Sequence, residues 1–239
     1  MKFLLTKDNQ KFLYKGQDIH TKWGYVRKAD IEKANPGDML RTNKGKELYI
    51  MDANFLDLFS RIKRGAQIML PKDISSIIGV CGINRQSRVL DSGTGSGGTA
   101  CFLAAIAKNV YSYEIREDHA KLAQGNVDFL GLKNVKIRNK DVAEGIIEKN
   151  LDVVILDLAE PWRAIEVSHK ALKTGGFIVN YSPNLTQTKR FVEEIKKHFV
   201  YIKTIETIER EWDVEELKLR PKYRMLGHTG FLSFARKIN

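Results

Sequence analysis

A chain of 239 residues with 43% hydrophobic content and no low-complexity tract can bury one sizeable core with a small appendage. Forty Lys and Arg against 29 Asp and Glu give a net charge of +11, which points to a polyanionic partner. No apolar run approaches the roughly 18 residues of a membrane span, and the Lys-rich start lacks a signal-peptide core, so the reading is a cytoplasmic protein with no membrane partner.

The first fifty residues hold eleven Lys or Arg against six acids. They alternate short apolar runs with turn signals such as Lys15-Gly16, Asn35-Pro36-Gly37-Asp38 and Asn43-Lys44-Gly45. This reads as a small β-rich module over 1–60, basic enough to bind RNA. Helical spacing over 52–62 and a second helix over 73–81 then lead into the main domain, 61–239.

The most informative stretch is Arg88-Val89-Leu90-Asp91-Ser92-Gly93-Thr94-Gly95-Ser96-Gly97-Gly98. A short strand ends at Asp91, glycines let the backbone turn and approach a ligand, and an apolar helix follows with its amides free. The glycines satisfy both G-x-G-x-x-G and G-x-G-x-G, so they do not choose a cofactor. Asp91, two residues before the first glycine, suits a cationic cofactor better than an anionic one, and S-adenosylmethionine (SAM) carries a sulfonium and an ammonium.

Beyond residue 88 strands and helices alternate, with strands over 89–90, 110–114, 135–138, 153–156, 176–181, 200–206 and 229–235. Helices fall over 99–107, 117–130, 163–172 and 187–198. This predicts an α/β fold with a Rossmann-like, seven-stranded class I methyltransferase sheet beside the β-rich module. In such a sheet ligands sit beyond the carboxyl ends of the strands, which marks four acids. Asp91 follows the first strand. Glu114 ends the second, where an acid accepts from both ribose hydroxyls. Asp141 is placed to accept from an adenine amine, the alternative being a cap on the short helix ahead. Asp157, in Leu156-Asp157-Leu158-Ala159-Glu160-Pro161-Trp162, emerges from a buried strand before a Pro-Trp loop. That suits recognition of a flat base by its amino edge, or else a strand-end cap with Trp162 in the core. Cys81 and Cys101 lack metal or disulfide spacing, the five histidines form no i, i+4 pair, and no metal is expected.

These residues resemble a known family, the tRNA (adenine-N1)-methyltransferases that modify T-loop adenosine 58 and, in archaeal members, adenosine 57 as well. The resemblance covers nearly the whole chain. It rests on Arg64-Gly65-Ala66-Gln67, Pro71-Lys72-Asp73, the loop 91–98, Tyr113-Glu114-Ile115-Arg116, Leu156-Asp157-Leu158 with Glu160-Pro161-Trp162, Tyr181-Ser182-Pro183-Asn184, and Arg220-Pro221 with Gly227-His228-Thr229-Gly230-Phe231. It implies SAM as cofactor, tRNA as substrate, a homotetramer, and an N-terminal module that helps bind tRNA. Cofactor residues would be Asp91, Gly93, Thr94, Gly95, Ser96, Gly97, Glu114 on the ribose, Asp141 on the adenine, and Asp157. Asp157 would also be catalytic, holding the amine of the target adenine, with Pro161, Trp162, His228 and Arg220 as substrate contacts. The sequence departs from the family at Asp91, where Glu is commoner, and at Leu70, where relatives often carry Tyr or His.

N1 of adenine attacks a sulfonium methyl with a ring-plane lone pair and loses no proton first. A carboxylate at the N6 edge would stabilise the charge that develops. The competing readings are a SAM-dependent methyltransferase for another substrate (a corrinoid precursor, a protein or another RNA), a non-catalytic RNA-binding subunit, and a nicotinamide-dependent oxidoreductase.

Overall fold

The computed structural model describes residues 1–65 and 67–239; Ala66 of the Arg64-Gly65-Ala66-Gln67 motif lies outside the described residues. Two compact units divide the chain, Met1–Arg61 and Ile62–Asn239. Among the described residues, no helix is long and apolar enough to cross a membrane.

In the first unit the elements run β1 (Lys2–Leu5), β2 (Lys11–Leu13), β3 (Ile19–Thr21), β4 (Gly24–Val26), α1 (Lys28–Lys33), β5 (Met39–Arg41), β6 (Glu47–Asp52) and α2 (Phe55–Phe59). Four strands form an antiparallel sheet in the order β2-β1-β6-β5, and β3 and β4 make a separate hairpin. Inward residues Leu4, Leu48 and Ile50 close on Ile19, Val26, Ile31 and Ala34, so the period-2 pattern of the strands builds a small core. Helix α1 was not anticipated from the sequence. It is six residues long, too short for propensity alone, and is held by buried Ile31 and by Lys2, whose Nζ donates to the Ala34 carbonyl at 2.7 Å. The helical spacing over 52–62 yields helix only at Phe55–Phe59. Asp52 still pairs with Lys2 in the sheet, and the helix begins where Asn54 and Asp57 form a reciprocal capping box.

The second unit runs α3 (Pro71–Cys81), β7 (Arg88–Ser92), α4 (Gly98–Ala104), β8 (Asn109–Glu114), α5 (Glu117–Phe129), β9 (Val135–Asn139), β10 (Leu151–Leu156), α6 (Ile165–Ala171), β11 (Leu172–Ser182), α7 (Leu185–Ile195), β12 (Val200–Glu206), β13 (Trp212–Glu215), β14 (Lys218–Pro221) and β15 (Phe231–Arg236). Seven strands form one sheet in the order β12-β15-β11-β10-β7-β8-β9, parallel from β11 through β9, with β15 antiparallel to both neighbours. This is the predicted class I methyltransferase sheet. Buried Leu90, Val154, Leu156 and Ile178 fill the core with Phe191 and Ile195 of α7.

The chain winds outward from β7 to β9, then crosses back to β10 on the other side of β7. Strand order therefore reverses between β7 and β10, which opens a crevice beyond their carboxyl ends. The segment 212–221, for which the sequence marks no strand, forms a β13–β14 hairpin. Its sequence does alternate, Trp212-Asp213-Val214-Glu215 against Lys218-Leu219-Arg220-Pro221, but the charge density masks the period-2 signal.

Candidate active site

Strand β7 delivers Asp91 and Ser92 to the crevice, and β10 delivers Leu156 paired with Ser92. The next residue, Asp157, donates its amide to the Ser92 carbonyl at 2.9 Å. The switch point thus brings residues 65 positions apart into one wall. Gly93 makes this possible: its φ is +85° and a Cβ there would lie 2.0 Å from the Asp157 carbonyl oxygen. Gly97, also at positive φ, caps α4 with a Cβ position 3.0 Å from Ala123.

Asp91 is almost fully buried. Its Oδ2 accepts from Ser112 Oγ at 2.7 Å, and since that hydroxyl has one hydrogen, Thr94 Oγ1 donates to Ser112 over 2.7 Å. Its Oδ1 is buried with no hydrogen-bond partner among the described residues. Burial, against the Ser112 hydrogen bond and with repulsion from Glu114, pushes the carboxyl up to about 6. A buried acceptor without a donor is costly unless a ligand supplies one, and a cationic ligand supplies the best.

Glu114 ends β8. One carboxylate oxygen accepts from the Gly95 amide at 2.8 Å and the other from the Arg116 amide at 3.0 Å. Asn139 holds the same turn by donating to the Glu114 and Ile115 carbonyls. The carboxylate is therefore locked across the glycine loop, with lone pairs left for an incoming hydroxyl. Ser96 is fastened from behind: its Oγ accepts from Gly65 N, and its carbonyl accepts from buried Asn126.

A cavity of about 240 Å³ opens here, lined among others by Ser92, Gly93, Glu114, Asp141, Asp157 and Arg163. Asp157 faces it half-buried with no hydrogen bond to its carboxylate among the described residues. Burial, then the neighbouring Asp91, pushes its carboxyl up to about 7. Asp141 does two things at once. Its Oδ1 caps the short helical turn at Ala143 N, and its Oδ2 lies 3.6 Å from Arg163. The capping role left open by the sequence is thus present, and the residue also lines the cavity.

Four residues expected at the substrate do not line this cavity. Pro161 is buried and begins the short helix Pro161–Ala164, and Trp162 packs on the core beneath the Arg190 guanidinium, 3.7 Å from the ring centre. Neither lines the cavity, although Ala159, Glu160 and Arg163 of the same segment do. Arg220 sits on the β13–β14 hairpin, bonded to the Tyr223 hydroxyl at 2.7 Å. His228 is held between Glu206 Oε1 at 2.5 Å and the Pro183 carbonyl at 2.9 Å. Both partners accept, so the doubly protonated ring is the form that satisfies both contacts, and the Glu206 hydrogen bond holds its pKa above the ordinary value.

Sequence reading gave no role to Ser112, a hydroxyl inside a buried strand, or to the cavity residues Ile115, Lys140 and Arg163. It also gave no role to Lys72 and Asp73. Lys72 Nζ, nearly buried, donates to Asp73 Oδ1 at 2.8 Å, Thr207 O at 2.6 Å and Thr229 Oγ1 at 2.7 Å. Thr229 returns a bond to Asp73 and its carbonyl accepts from Tyr181. This network ties α3, β11 and the segments after β12 and before β15 at the same edge of the sheet.

Comparisons with known proteins agree with this architecture. Residues 49–222 match the family model described as tRNA methyltransferase complex GCD14 subunit. The chain is 37% identical to the tRNA (adenine(57)-N(1)/adenine(58)-N(1))-methyltransferase TrmI of Methanocaldococcus jannaschii, over 98% of this chain and 91% of that one. It is 35% identical to the tRNA (adenine(58)-N(1))-methyltransferase TrmI of Thermus thermophilus, over 98% and 96%. A crystal structure named as a SAM-dependent O-methyltransferase of Thermotoga maritima superposes with a TM-score of 0.91 at 32% identity, covering 100% of this chain and 92% of that one. A family model that covers most of the chain, relatives alike along nearly its full length, and a glycine loop at the switch point of a class I sheet lead to one conclusion: the chain belongs to the GCD14 tRNA methyltransferase family.

Proposed function

We propose that this protein methylates N1 of adenosine 58 in the T loop of tRNA, with SAM as methyl donor, and acts in the cytoplasm as a homotetramer. Adenosine 57 is the second target, by analogy with the archaeal relative. The observation that carries the reading is the Asp157 carboxylate, unpartnered among the described residues in a cavity that Ser92, Gly93 and Glu114 also line, with the buried, half-satisfied Asp91 as its neighbour.

These residues suit SAM. The orphaned Asp91 Oδ1 calls for a cationic donor, Glu114 offers acceptors to a ribose, and Asp141 offers one to an adenine amine. The backbone of Gly93, Thr94, Gly95, Ser96 and Gly97 would hold the methionine end, and the loop keeps its path because Gly93 and Gly97 carry no side chain to collide with Asp157 and Ala123. When bound, SAM supplies a methyl group on a positively charged sulfur.

Asp157 then acts on the base. As an ionised carboxylate it accepts from the N6 amine, orients N1 toward the methyl, and opposes the positive charge that grows on the ring as the N1–carbon bond forms and the carbon–sulfur bond breaks. No proton leaves N1, so Asp157 serves as an electrostatic partner rather than a base. Holding both reactants in one cavity supplies much of the remaining acceleration. The basic first unit supplies phosphate contacts that offset extrusion of the base.

The name of the Thermotoga structure favours a second reading, methyl transfer to oxygen. That reaction must remove a hydroxyl proton, and an acid with a pKa near 7 could take it. One experiment separates the two: labelled SAM, unmodified bulk tRNA and nucleoside analysis. 1-Methyladenosine supports the proposal; a 2′-O-methylated nucleoside, or cofactor binding without transfer to tRNA, overturns it.

A further inference from the structure

We propose that Arg190, stacked on Trp162, is a phosphate-gripping fork that holds the tRNA backbone beside the methyl-transfer cavity. The inference deepens the tRNA reading above and rests on it. Arg190 lies on α7 with its guanidinium carbon 3.7 Å from the centre of the Trp162 ring, the closest such stack among the described residues. The platform beneath is fixed. Trp162 packs on the main core, buried Pro161 precedes it, and Gln187, one turn before Arg190, donates to the Ala159 carbonyl at 3.2 Å.

Arg190 is exposed and makes no ion pair or hydrogen bond among the described residues. Its helix neighbours differ: Lys189 lies 3.8 Å from Glu193, and Glu194, one turn further on, accepts from Lys197 at 2.7 Å. Glu193 and Glu194 thus each have a cation within bonding or ion-pair distance, although Glu194 also lies in the field of Arg190. Stacking takes the face of a guanidinium and leaves its N–H edge free, aimed in one plane and with part of its rotamer entropy already lost. A planar fork of donors matches two phosphate oxygens.

The position selects a nucleic-acid backbone over an acidic peptide. Trp162 lies in the chain between cavity-lining Glu160 and Arg163, and Gln187, one turn before Arg190, bonds to cavity-lining Ala159, which sets this turn of α7 against the segment that borders the site. A base extruded into that cavity carries its own flanking phosphates to the rim. Trp162 then acts as the platform for the cation, not as a stacking surface for the base.

The test is a salt titration of binding between unmodified tRNA and the full chain, for wild type, Arg190→Ala and Arg190→Lys, with SAM affinity measured alongside. For Arg190→Ala we expect the slope of log affinity against log salt to fall by about one, with affinity reduced roughly tenfold at moderate salt and SAM affinity intact. Arg190→Lys should keep the slope, because it keeps the charge, yet lose several-fold in affinity with the fork. An Arg190→Ala protein that is less stable but has an unchanged slope overturns the proposal and leaves Arg190 a surface cation–π pair. Wild type that binds tRNA without forming 1-methyladenosine removes the functional reading, while the slopes still decide Arg190. Wild type that does not bind tRNA overturns both.

Discussion

Asp157 and Glu114 flank one cavity, yet their surroundings give them different work. Glu114 spends both oxygens on the Gly95 and Arg116 amides, so its removal unties the glycine loop as well as removing the acceptor proposed for the ribose. Glu114→Ala should therefore raise the SAM dissociation constant at least tenfold, as calorimetric titration would record. Among the described residues Asp157 makes no hydrogen bond except that of its amide to the Ser92 carbonyl. Asp157→Ala should leave SAM affinity within about twofold and lower single-turnover methyl transfer by roughly 10²–10³. Full turnover in that variant would remove Asp157 from the chemistry. Protonation gives a second check. With its carboxyl at about 7, Asp157 is ionised only on the alkaline side, so kcat/KM for tRNA should climb between about pH 5.5 and 8 and level off. Asp157→Asn should flatten that limb; an identical pH profile in the variant would assign the titration to another group.

At the scale of elements, the glycine loop is a packing device before it is a binding device. Strands β7 and β10 can end side by side only because Gly93 lets the Asp157 carbonyl approach to where a Cβ would stand. Gly93→Ala adds a left-handed backbone penalty of roughly 1–2 kcal/mol to that collision, and the wall should shift even where the fold survives. We expect loss of SAM binding with retained far-ultraviolet circular dichroism; unaltered SAM affinity would show that the wall tolerates the shift. The buried pair across α3 behaves differently. Lys72→Met leaves fully buried Asp73 without its cation and should cost about 3–5 kcal/mol in denaturant unfolding. A change under about 1 kcal/mol would mean that Thr229 alone satisfies Asp73.

This contrast also explains what the sequence made legible. The loop, the seven strands and the acids at their ends were readable because each is a local pattern: alternation, glycine spacing, an acid after an apolar run. The Lys72–Asp73–Thr229 network was not, since Thr229 lies 157 positions from Lys72 and 156 from Asp73 and nothing local marks the pairing. Helix α1 was hidden because a tertiary lysine, not its own residues, caps it. Trp162 was ambiguous in sequence for a related reason: an aromatic after a proline looks the same whether its ring meets a ligand, the core or, as here, an arginine.

Across the whole molecule, a site built to take a cation must be under electrostatic strain without one, and that strain is measurable as stability. Burial raises Asp91 to about 6 and Asp157 to about 7, so the folded state holds these protons more tightly than the unfolded chain. The pair therefore contributes stability that is complete below the ordinary carboxylate range and is lost as pH rises through about 6 and then about 7. A bound cation reverses the preference, because it favours the ionised carboxylates. SAM should then bind more weakly at about pH 5 than at about pH 7, where its sulfonium and ammonium meet deprotonated Asp91. By mass action, saturation at about 100 times the dissociation constant stabilises by about 2.7 kcal/mol, or roughly 5–10 °C for a unit of this size. Calorimetric scans at a fixed SAM concentration should show this shift near neutral pH and a clearly smaller one in mild acid. Asp91→Asn should bind weakly at both and show little pH dependence. A shift that grows toward acid pH would mean that SAM's positive end lies away from Asp91, and the glycine loop would have to be read with the cofactor turned around.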